Sequence, residues 1–285
     1  MKLLNIKSGN CLKAAIVDYE GVARDLSYIV PFISGKTLTS EVLERIKDVD
    51  IYKLASVNSR FDVGPCIADV GKIICIGLNY FDHAKEANLE MPKEPVIFLK
   101  ATSAITGPYD DLVIPRGLTK CDWEAELAIV IGLEGRNIPL KYAKNHIAGF
   151  CVINDISERS FQFERSGQWT KGKSLDGFAP IGPWLVTQDE IDNPQNLNIW
   201  LEVNGKRYQS SNTSQMKEDV YSLISYVSEF MSLQPGDIIA TGTPSGVGFG
   251  QNPPRYLKDG DFIRAGIDGL GEQAIKVREE IIVYL

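Results

Sequence analysis

Residues 122–132, DWEAELAIVIG, have the pattern of a central β-strand. The second half of this stretch is apolar at successive positions, which is typical of a strand covered on both faces. In the first half, side chains alternate between the faces, so Glu124 and Glu126 point the same way, roughly 7 Å apart along the strand. The stretch therefore predicts a buried strand that carries two carboxylates on one side.

Outward from this strand, most of the chain has β character. Further strands are expected at 72–80 (KIICIGLNY), 95–100 (PVIFLK) and 147–155 (IAGFCVIND), with more towards the C-terminus. Apolar residues at helical spacing predict helices at 39–47 (TSEVLERIK) and 218–233 (EDVYSLISYVSEFMSL). Because strands dominate and turn signals recur, the predicted fold class is a β-rich α+β fold.

The chain has 285 residues, enough for one large domain with a small appendage. The segment 57–71, VNSRFDVGPCIADVG, is irregular and is interpreted as a junction. We therefore expect a small N-terminal domain at 1–70 and a main domain at 71–285.

Charge and hydropathy exclude several kinds of partner. The net charge of −7 argues against nucleic acid as a main partner. No apolar stretch approaches the roughly 18 residues that a membrane span needs, so we expect no membrane association. The five scattered cysteines form no C-x-x-C pair and fit reduced thiols. A cytoplasmic location is expected.

Two glycine-rich segments resemble nucleotide motifs without their structural setting. Residues 167–174, GQWTKGKS, match the phosphate-loop pattern letter for letter, but a polar segment precedes them. The glycines and prolines of LDGFAPIGPW, which follow, disfavour the helix that such a loop requires. Residues 241–250, TGTPSGVGFG, have the spacing G-x-G-x-G rather than a dinucleotide fingerprint. We expect no nucleotide cofactor.

Carboxylates are concentrated on the predicted central strand. Glu124 and Glu126 could form the solvated face of an edge strand, which is common, but two like charges in a central strand are costly without a cation between them. Asp155, at the end of the strand FCVIND, is a third candidate ligand. An all-oxygen set favours Mg²⁺, Mn²⁺ or Ca²⁺ over Zn²⁺.

The chain has two histidines, and one of them has a carboxylate at helical spacing. His83 lies in a short predicted helix after a buried strand, and Glu86 follows at i+3 on the same face. A carboxylate beside an imidazole orients it as a general base. An ordinary surface His–Glu pair is the alternative. His146, before IAGF, is interpreted as a structural or capping residue.

Together these segments resemble the fumarylacetoacetate hydrolase family over roughly residues 72–280, in order. The blocks that carry the resemblance are ICIGLNYFDHAKEA (74–87), PVIFLKATSAITGP (95–108), DWEAELAIVIG (122–132), INDISERSFQ (153–162), WTKGKSLDGFAPIGPW (169–184) and LQPGDIIATGTPSGVG (233–248). The N-terminal region and LGEQ (270–273) are similar to the branch that includes 2,4-diketo-3-deoxy-sugar-acid hydrolases, whose members are often labelled ureidoglycolate lyase.

The resemblance implies a mixed β-sandwich roll, usually a homodimer. It implies that Mg²⁺ or Mn²⁺, with Ca²⁺ as a substitute in crystals, is held by Glu124, Glu126 and Asp155. It also implies a water-activating dyad on a lid that orders when substrate binds, a lysine near the metal and a set of substrate contacts. These residues are His83 and Glu86 for the dyad, Lys173 for the lysine, and Tyr80, Arg159, Gln162 and Thr243 for the substrate contacts.

The activity implied is metal-dependent cleavage of the C3–C4 bond of a 2,4-dioxo acid, giving pyruvate and a carboxylic acid. A 2,4-diketo-3-deoxy sugar acid is the expected substrate. The alternative is a lyase with the same metal site, an oxaloacetate-type decarboxylase or a ureidoglycolate lyase. The dyad of His83 and Glu86 favours hydrolysis. A third hypothesis, from another class, is a non-catalytic binding protein stabilised by a metal.

Overall fold

A computed structural model describes residues 1–57 and 61–281. Within these ranges the chain forms eighteen strands and five α-helices. In chain order the strands are β1 (Lys2–Ser8), β2 (Cys11–Val17), β3 (Ala23–Asp25), β4 (Ile73–Gly77), β5 (Val96–Lys100), β6 (Ile105–Thr106), β7 (Leu112–Ile114), β8 (Cys121–Asp122), β9 (Ala125–Ile131), β10 (Ile147–Asn154), β11 (Ser157–Glu158), β12 (Ala179–Pro180), β13 (Leu185–Thr187), β14 (Asn198–Val203), β15 (Lys206–Asn212), β16 (Ile238–Ala240), β17 (Phe262–Ile267) and β18 (Gly271–Glu279). The helices are α1 (Ser40–Lys47), α2 (Phe81–Glu86), α3 (Arg159–Phe163), α4 (Thr170–Lys173) and α5 (Val220–Phe230).

The main sheet has nine strands in the order β3-β2-β1-β13-β10-β9-β16-β4-β5. Strand β9 pairs antiparallel with β10 on one side and with β16 on the other. Every residue of β9 is buried. The prediction that the apolar run LAIVIG lies in a central strand is therefore confirmed.

A second sheet of five strands, in the order β15-β14-β17-β18-β7, covers the main one. Strands β14 and β17 pack against β9, and β17 also packs against β10. The apolar core fills the space between the sheets, and its largest fully buried side chains include Trp123 and Phe150. The β-rich α+β class is confirmed by this arrangement.

The N-terminal strands extend the main sheet. Strand β1 pairs with β13, which joins β1–β3 to the central strands. Leu3 and Ile16 belong to the same apolar core as Ile73 and Leu127. The sheet and the core are thus continuous across the proposed boundary at residues 70 and 71, and the division into 1–70 and 71–285 stays a prediction.

The strand predicted at 122–132 is interrupted in the structure. Strand β8 pairs with β11, and the main-sheet strand β9 begins only at Ala125. The break has a local cause, because the amide of Glu124 donates to the side chain of Asn154 at 2.9 Å and the amide of Trp123 donates to Asp122 at 2.8 Å. Side chains therefore replace the ladder bonds at this position.

The two predicted longer helices are present. Helix α1 is capped by Thr39, whose side chain accepts from the amide of Val42. Helix α5 is capped by Asp219, whose carboxylate accepts from the amide of Ser222 at 2.7 Å. Across the two ranges that the structure covers, none of the helices has the length and apolar character of a membrane span.

Candidate active site

Three buried carboxylates meet where β9 begins and β10 ends. The antiparallel register places Asn154 opposite Ala125, and the amide of Asp155 donates to the carbonyl of Glu124 at 2.8 Å. Each of Glu124, Glu126 and Asp155 offers an oxygen such that the three oxygens lie within 4.8 Å of one another. The structure thus brings together the three residues that the sequence selected as metal ligands.

Three cations surround this triad. The Nζ of Lys173 lies 2.6 Å from Glu124 Oε2 and 2.7 Å from Asp155 Oδ2. The Nζ of Lys100, at the end of β5, lies 2.6 Å from Asp155 Oδ1. Arg159 reaches Glu124 Oε1 at 2.7 Å. The carboxylates are therefore held in place by hydrogen bonds to charged donors, which are the stronger kind.

Lys173 reaches the triad because a glycine precedes it. A Cβ at Gly172 would lie 2.4 Å from the carbonyl oxygen of Glu158 and 2.7 Å from the amide of Gln162. Only glycine lets α4 approach α3 so closely. Residues 167–174 follow helix α3 rather than a strand, and α4 ends at Lys173 rather than beginning there. This setting differs from that of a phosphate loop.

The pKa values of Glu124 and Glu126 are shifted in opposite directions. Burial acts to raise the pKa of Glu124, but the charges of Lys173 and Arg159 outweigh it and lower that pKa to about 2. The pKa of Glu126 is raised well above its usual value by burial, by Asp155 and by Glu124. Its Oε2 accepts from the amide of Gly242 at 2.8 Å. Of the two glutamates, Glu126 is thus the one whose ionised form is disfavoured when no further cation is present.

The donor set fits a hard divalent cation. With Asp122 included, four carboxylates face three cations, so the ionised cluster has one negative charge in excess. Mg²⁺ and Mn²⁺ prefer oxygen ligands of this kind. A bound dication would leave the site positive by one charge, which suits an anionic substrate.

The two residues predicted as a water-activating dyad are in contact, and their catalytic role stays a prediction. His83 Nδ1 lies 3.1 Å from Glu86 Oε2, and both side chains are largely covered, with 17% and 16% exposed. The amide of Gly246 donates to Glu86 Oε1 at 2.8 Å. The carbonyl of the same Gly246 accepts from Nε1 of Trp123, the residue before Glu124, at 3.0 Å, and this bond links the dyad to the strand that carries the triad. With Nδ1–H donating to Glu86, Nε2 is the nitrogen that can accept a proton.

The predicted substrate contacts lie around this centre, and their roles stay predictions. Arg159 Nη1 donates to Gln162 Oε1 at 2.9 Å. The hydroxyl of Thr243 donates to the carbonyl of Ala125 at 2.9 Å and accepts from Gln209 Nε2 at 2.8 Å. Tyr80 is fully buried, and no described residue bonds its hydroxyl. Its pKa is raised by burial and by the nearby charge of Glu126.

The sequence analysis missed two residues of the cluster. Lys100 is the last residue of the apolar strand PVIFLK, and a lysine ending such a strand was the available signal. Asp122 is fully buried and pairs with Arg159 at 2.7 Å. Asp122 lies two residues before Glu124 in the same acidic stretch. This spacing alone gave no signal that Asp122 would pair with Arg159.

The raised pKa of Glu126 predicts that metal affinity depends on pH. A dication needs this carboxyl ionised, so binding between the ordinary value of 4.5 and the raised pKa releases a proton. Apparent affinity for Mn²⁺ should therefore rise with pH in this window, by up to about tenfold per pH unit for one proton. Calorimetry in buffers of different ionisation enthalpy measures the protons released. An affinity that is constant across the window would contradict the assignment of the proton.

The architecture and the site together define a class: β-rich α+β proteins with a buried oxygen-only centre suited to a divalent cation. Residues 72–278 match the pattern described as fumarylacetoacetate (FAA) hydrolase C-terminal. This match covers most of the chain, and the protein belongs to the fumarylacetoacetate hydrolase family.

Known proteins resemble the chain over its whole length. A Burkholderia lata protein with the provisional name of a hydrolase is 50% identical over 280 residues, 98% of this chain and 99% of that one. The fumarylacetoacetate hydrolase of Exiguobacterium antarcticum has a TM-score of 0.87 and 36% identity, over 98% of this chain and 100% of the other. The maleylpyruvate hydrolase of Sphingobium sp. SYK-6 was solved in complex with manganese(II) and pyruvate. It has a TM-score of 0.83 and 29% identity, over 99% of this chain and 100% of the other.

Proposed function

We propose that the protein is a Mg²⁺- or Mn²⁺-dependent hydrolase that cleaves the C3–C4 bond of a 2,4-dioxo acid. The substrate is of the acylpyruvate type, and a 2,4-diketo-3-deoxy sugar acid is our candidate. The observation that carries the proposal is the His83–Glu86 pair beside the buried triad of Glu124, Glu126 and Asp155. A general base next to a cation site is what hydrolysis of a carbon–carbon bond requires.

The triad would hold the cation, which when bound supplies Lewis-acid polarisation of the substrate's oxygen atoms. His83 does the proton transfer. Its Nδ1–H is held by Glu86 Oε2 at 3.1 Å, so Nε2 takes a proton from water as the water oxygen attacks C4. Glu86 is itself fixed by the amide of Gly246, so the imidazole keeps one orientation.

Collapse of the C4 adduct breaks the C3–C4 bond and leaves the electron pair on the pyruvate fragment as an enolate. The Lys173 ammonium, buried between Glu124 and Asp155, is a fixed positive charge next to this site. Its pKa is raised to about 12, because Asp155 and Glu124 outweigh the burial that acts to lower it. It therefore stays charged at neutral pH and can stabilise negative charge that develops nearby. The proton that His83 took from water then passes to C3, which completes pyruvate and returns the imidazole to its neutral form.

The same site could serve a lyase, since enolate formation by loss of CO₂ needs no attacking water. The dyad is the feature that favours hydrolysis. A homodimer and a cytoplasmic location accompany this proposal as predictions from the sequence.

The test is a panel of 2,4-dioxo acids, oxaloacetate and ureidoglycolate, scored for pyruvate, CO₂ and urea. We expect pyruvate and a second carboxylic acid from a dioxo acid, loss of activity in EDTA, and recovery with Mg²⁺ or Mn²⁺. Release of CO₂ or urea instead would identify the lyase alternative. If none of the compounds is turned over, the non-catalytic hypothesis replaces ours.

A further inference from the structure

The segment 245–250, SGVGFG, which we call the glycine loop, connects the two halves of the site. Its three glycines have no nucleotide to bind in the proposed function. In the structure, one part of the loop contacts the acidic cluster and another part contacts the dyad.

At the first contact, the loop is held by Asp122. The amide of Gly248 donates to Asp122 Oδ1 at 2.6 Å, and the amide of Phe249 donates to Oδ2 at 2.9 Å. Arg159 donates to the same Oδ2 from Nε at 2.8 Å, and its Nη2 also reaches Glu124 at 2.7 Å. Asp122 is fully buried, so these bonds are shielded from water. Asp122 therefore holds the glycine loop directly, and it is linked to the metal-site carboxylate Glu124 through Arg159.

At the second contact, the loop fixes the dyad. The amide of Gly246 donates to Glu86 Oε1 at 2.8 Å, and the other oxygen of Glu86 bonds His83 at 3.1 Å. The amide of Ser245 approaches Asp82, one turn earlier on helix α2, at 3.3 Å. The position of the imidazole therefore depends on the backbone of the loop.

Each glycine has a steric reason within this arrangement. Gly246 has a φ of +100°, and a Cβ there would lie 2.0 Å from the carbonyl oxygen of Tyr208. A Cβ at Gly248 would lie 2.0 Å from the carbonyl oxygen of Arg255 and 2.6 Å from Asp122 Oδ1. A Cβ at Gly250 would lie 2.6 Å from the carboxyl carbon of Glu86. The G-x-G-x-G spacing thus lets one short loop contact Asp122 and Glu86 at once.

We propose that Asp122 is a positioning residue, which holds the glycine loop so that Gly246 orients Glu86 and, through it, the base His83. Within the described residues, the hydrogen-bond partners of the Asp122 carboxylate are Trp123, Gly248, Phe249 and Arg159. Asp122 acts indirectly: it bonds the glycine loop, and the glycine loop bonds Glu86. The kinetic part of this inference rests on the proposed function, whereas the structural part does not.

The test is Asp122→Asn, followed by hydrogen exchange and kinetics. Both oxygens of Asp122 accept backbone amides, and an amide side chain keeps only one acceptor, so one set of bonds is lost in either orientation. Exchange of the glycine loop and of helix α2, measured without substrate, should become about tenfold faster or more. With a dioxo acid, kcat should fall by about tenfold or more, and any accompanying rise in KM would report the weakened pair between Asp122 and Arg159, a predicted substrate contact.

Asp18→Asn is a matched control. Asp18 is also buried, accepts the amides of Glu20 and Val22 at 2.9 and 2.8 Å, and pairs with Arg24 at 2.8 Å. It lies in the N-terminal region, away from the site. The control should loosen residues 18–24 and leave helix α2, the glycine loop and turnover as in the wild type.

Gly250→Ala tests this series of contacts at the end where the glycine loop meets Glu86. It serves as the test of the proposal if Asp122→Asn does not fold. The added methyl displaces Glu86, so kcat should fall while the Asp122 contacts remain. Wild-type exchange of α2 in Asp122→Asn, or wild-type turnover in Gly250→Ala, would overturn the proposal. If the wild type cleaves no dioxo acid, the proposed function fails, and the exchange of α2 alone decides whether Asp122 holds the dyad.

Discussion

Glu126→Gln is expected to lower turnover by at least about 10²-fold, because it removes a charge from the cation site. The same change should not destabilise the metal-free protein. Glu126 has a backbone amide as its partner and carries a raised pKa caused by burial, by Asp155 and by Glu124. A folded-state pKa above the usual 4.5 means that stability falls as pH rises through this window, and glutamine removes that loss.

As a site for testing metal binding by substitution, Glu126 is better suited than Glu124. Glu124 pairs with Lys173 and Arg159, so Glu124→Ala would leave two buried cations short of a partner, at a cost of about 3–5 kcal/mol. Metal affinity by calorimetry, urea unfolding in EDTA, and turnover at saturating Mn²⁺ are the measurements. Glu272→Gln, which breaks a surface pair with Arg264, is the control. Wild-type metal affinity in Glu126→Gln would show that this carboxylate is no ligand.

His83→Ala is the second change with a large expected effect. Loss of a general base usually costs about 10²- to 10⁴-fold, and kcat for a dioxo acid should fall by this amount. Metal affinity should stay close to the wild-type value, because His83 is not one of the three residues whose oxygens converge. Glu86→Gln should give a comparable loss, because a glutamine oxygen that accepts from Gly246 leaves the NH₂ group facing Nδ1, and Nε2 then carries the proton and cannot act as the base.

The chain provides its own control in the other histidine. His146 ends a short helical segment, where Nδ1 contacts the carbonyl oxygen of Leu133 at 2.9 Å. His146→Ala should leave kcat unchanged. Steady-state kinetics of both variants, with oxaloacetate as a second substrate, separates the two candidate reactions. Undiminished turnover in His83→Ala would favour a decarboxylase over a hydrolase.

Alternation along one strand suggested the pair of glutamates at the site, whereas the roles of Lys173 and of the substrate contacts were implied only by the family resemblance. Glu124 and Glu126 could be placed on one face from their spacing, and Asp155 from its position at the end of the next apolar strand. Lys100 could not be found in this way. Its contact with Asp155 joins β5 to the end of β10, and these strands are not neighbours in the sheet. Local periodicity carries no information about such a pairing.

The short helices around the site could not be predicted from the sequence either. Helices α3 and α4 have five and four residues, too few for a periodic pattern. They are stabilised by packing, above all where Gly172 meets the carbonyl of Glu158. The break after Asp122 was missed for a related reason, since it depends on the side chain of Asn154, which accepts from the amide of Glu124 and belongs to another strand.

The lysine between Glu124 and Asp155 has a consequence for the life of the protein in a cell short of metal. Its ammonium offsets repulsion between Glu124 and Asp155, and the raised pKa of Glu126 favours the uncharged form of the third carboxyl. We therefore expect newly made chains to fold without the ion and to remain folded but inactive until it is supplied. Supply of the ion would then activate existing molecules without new synthesis, in contrast to zinc-finger domains, which unfold when their metal is withdrawn.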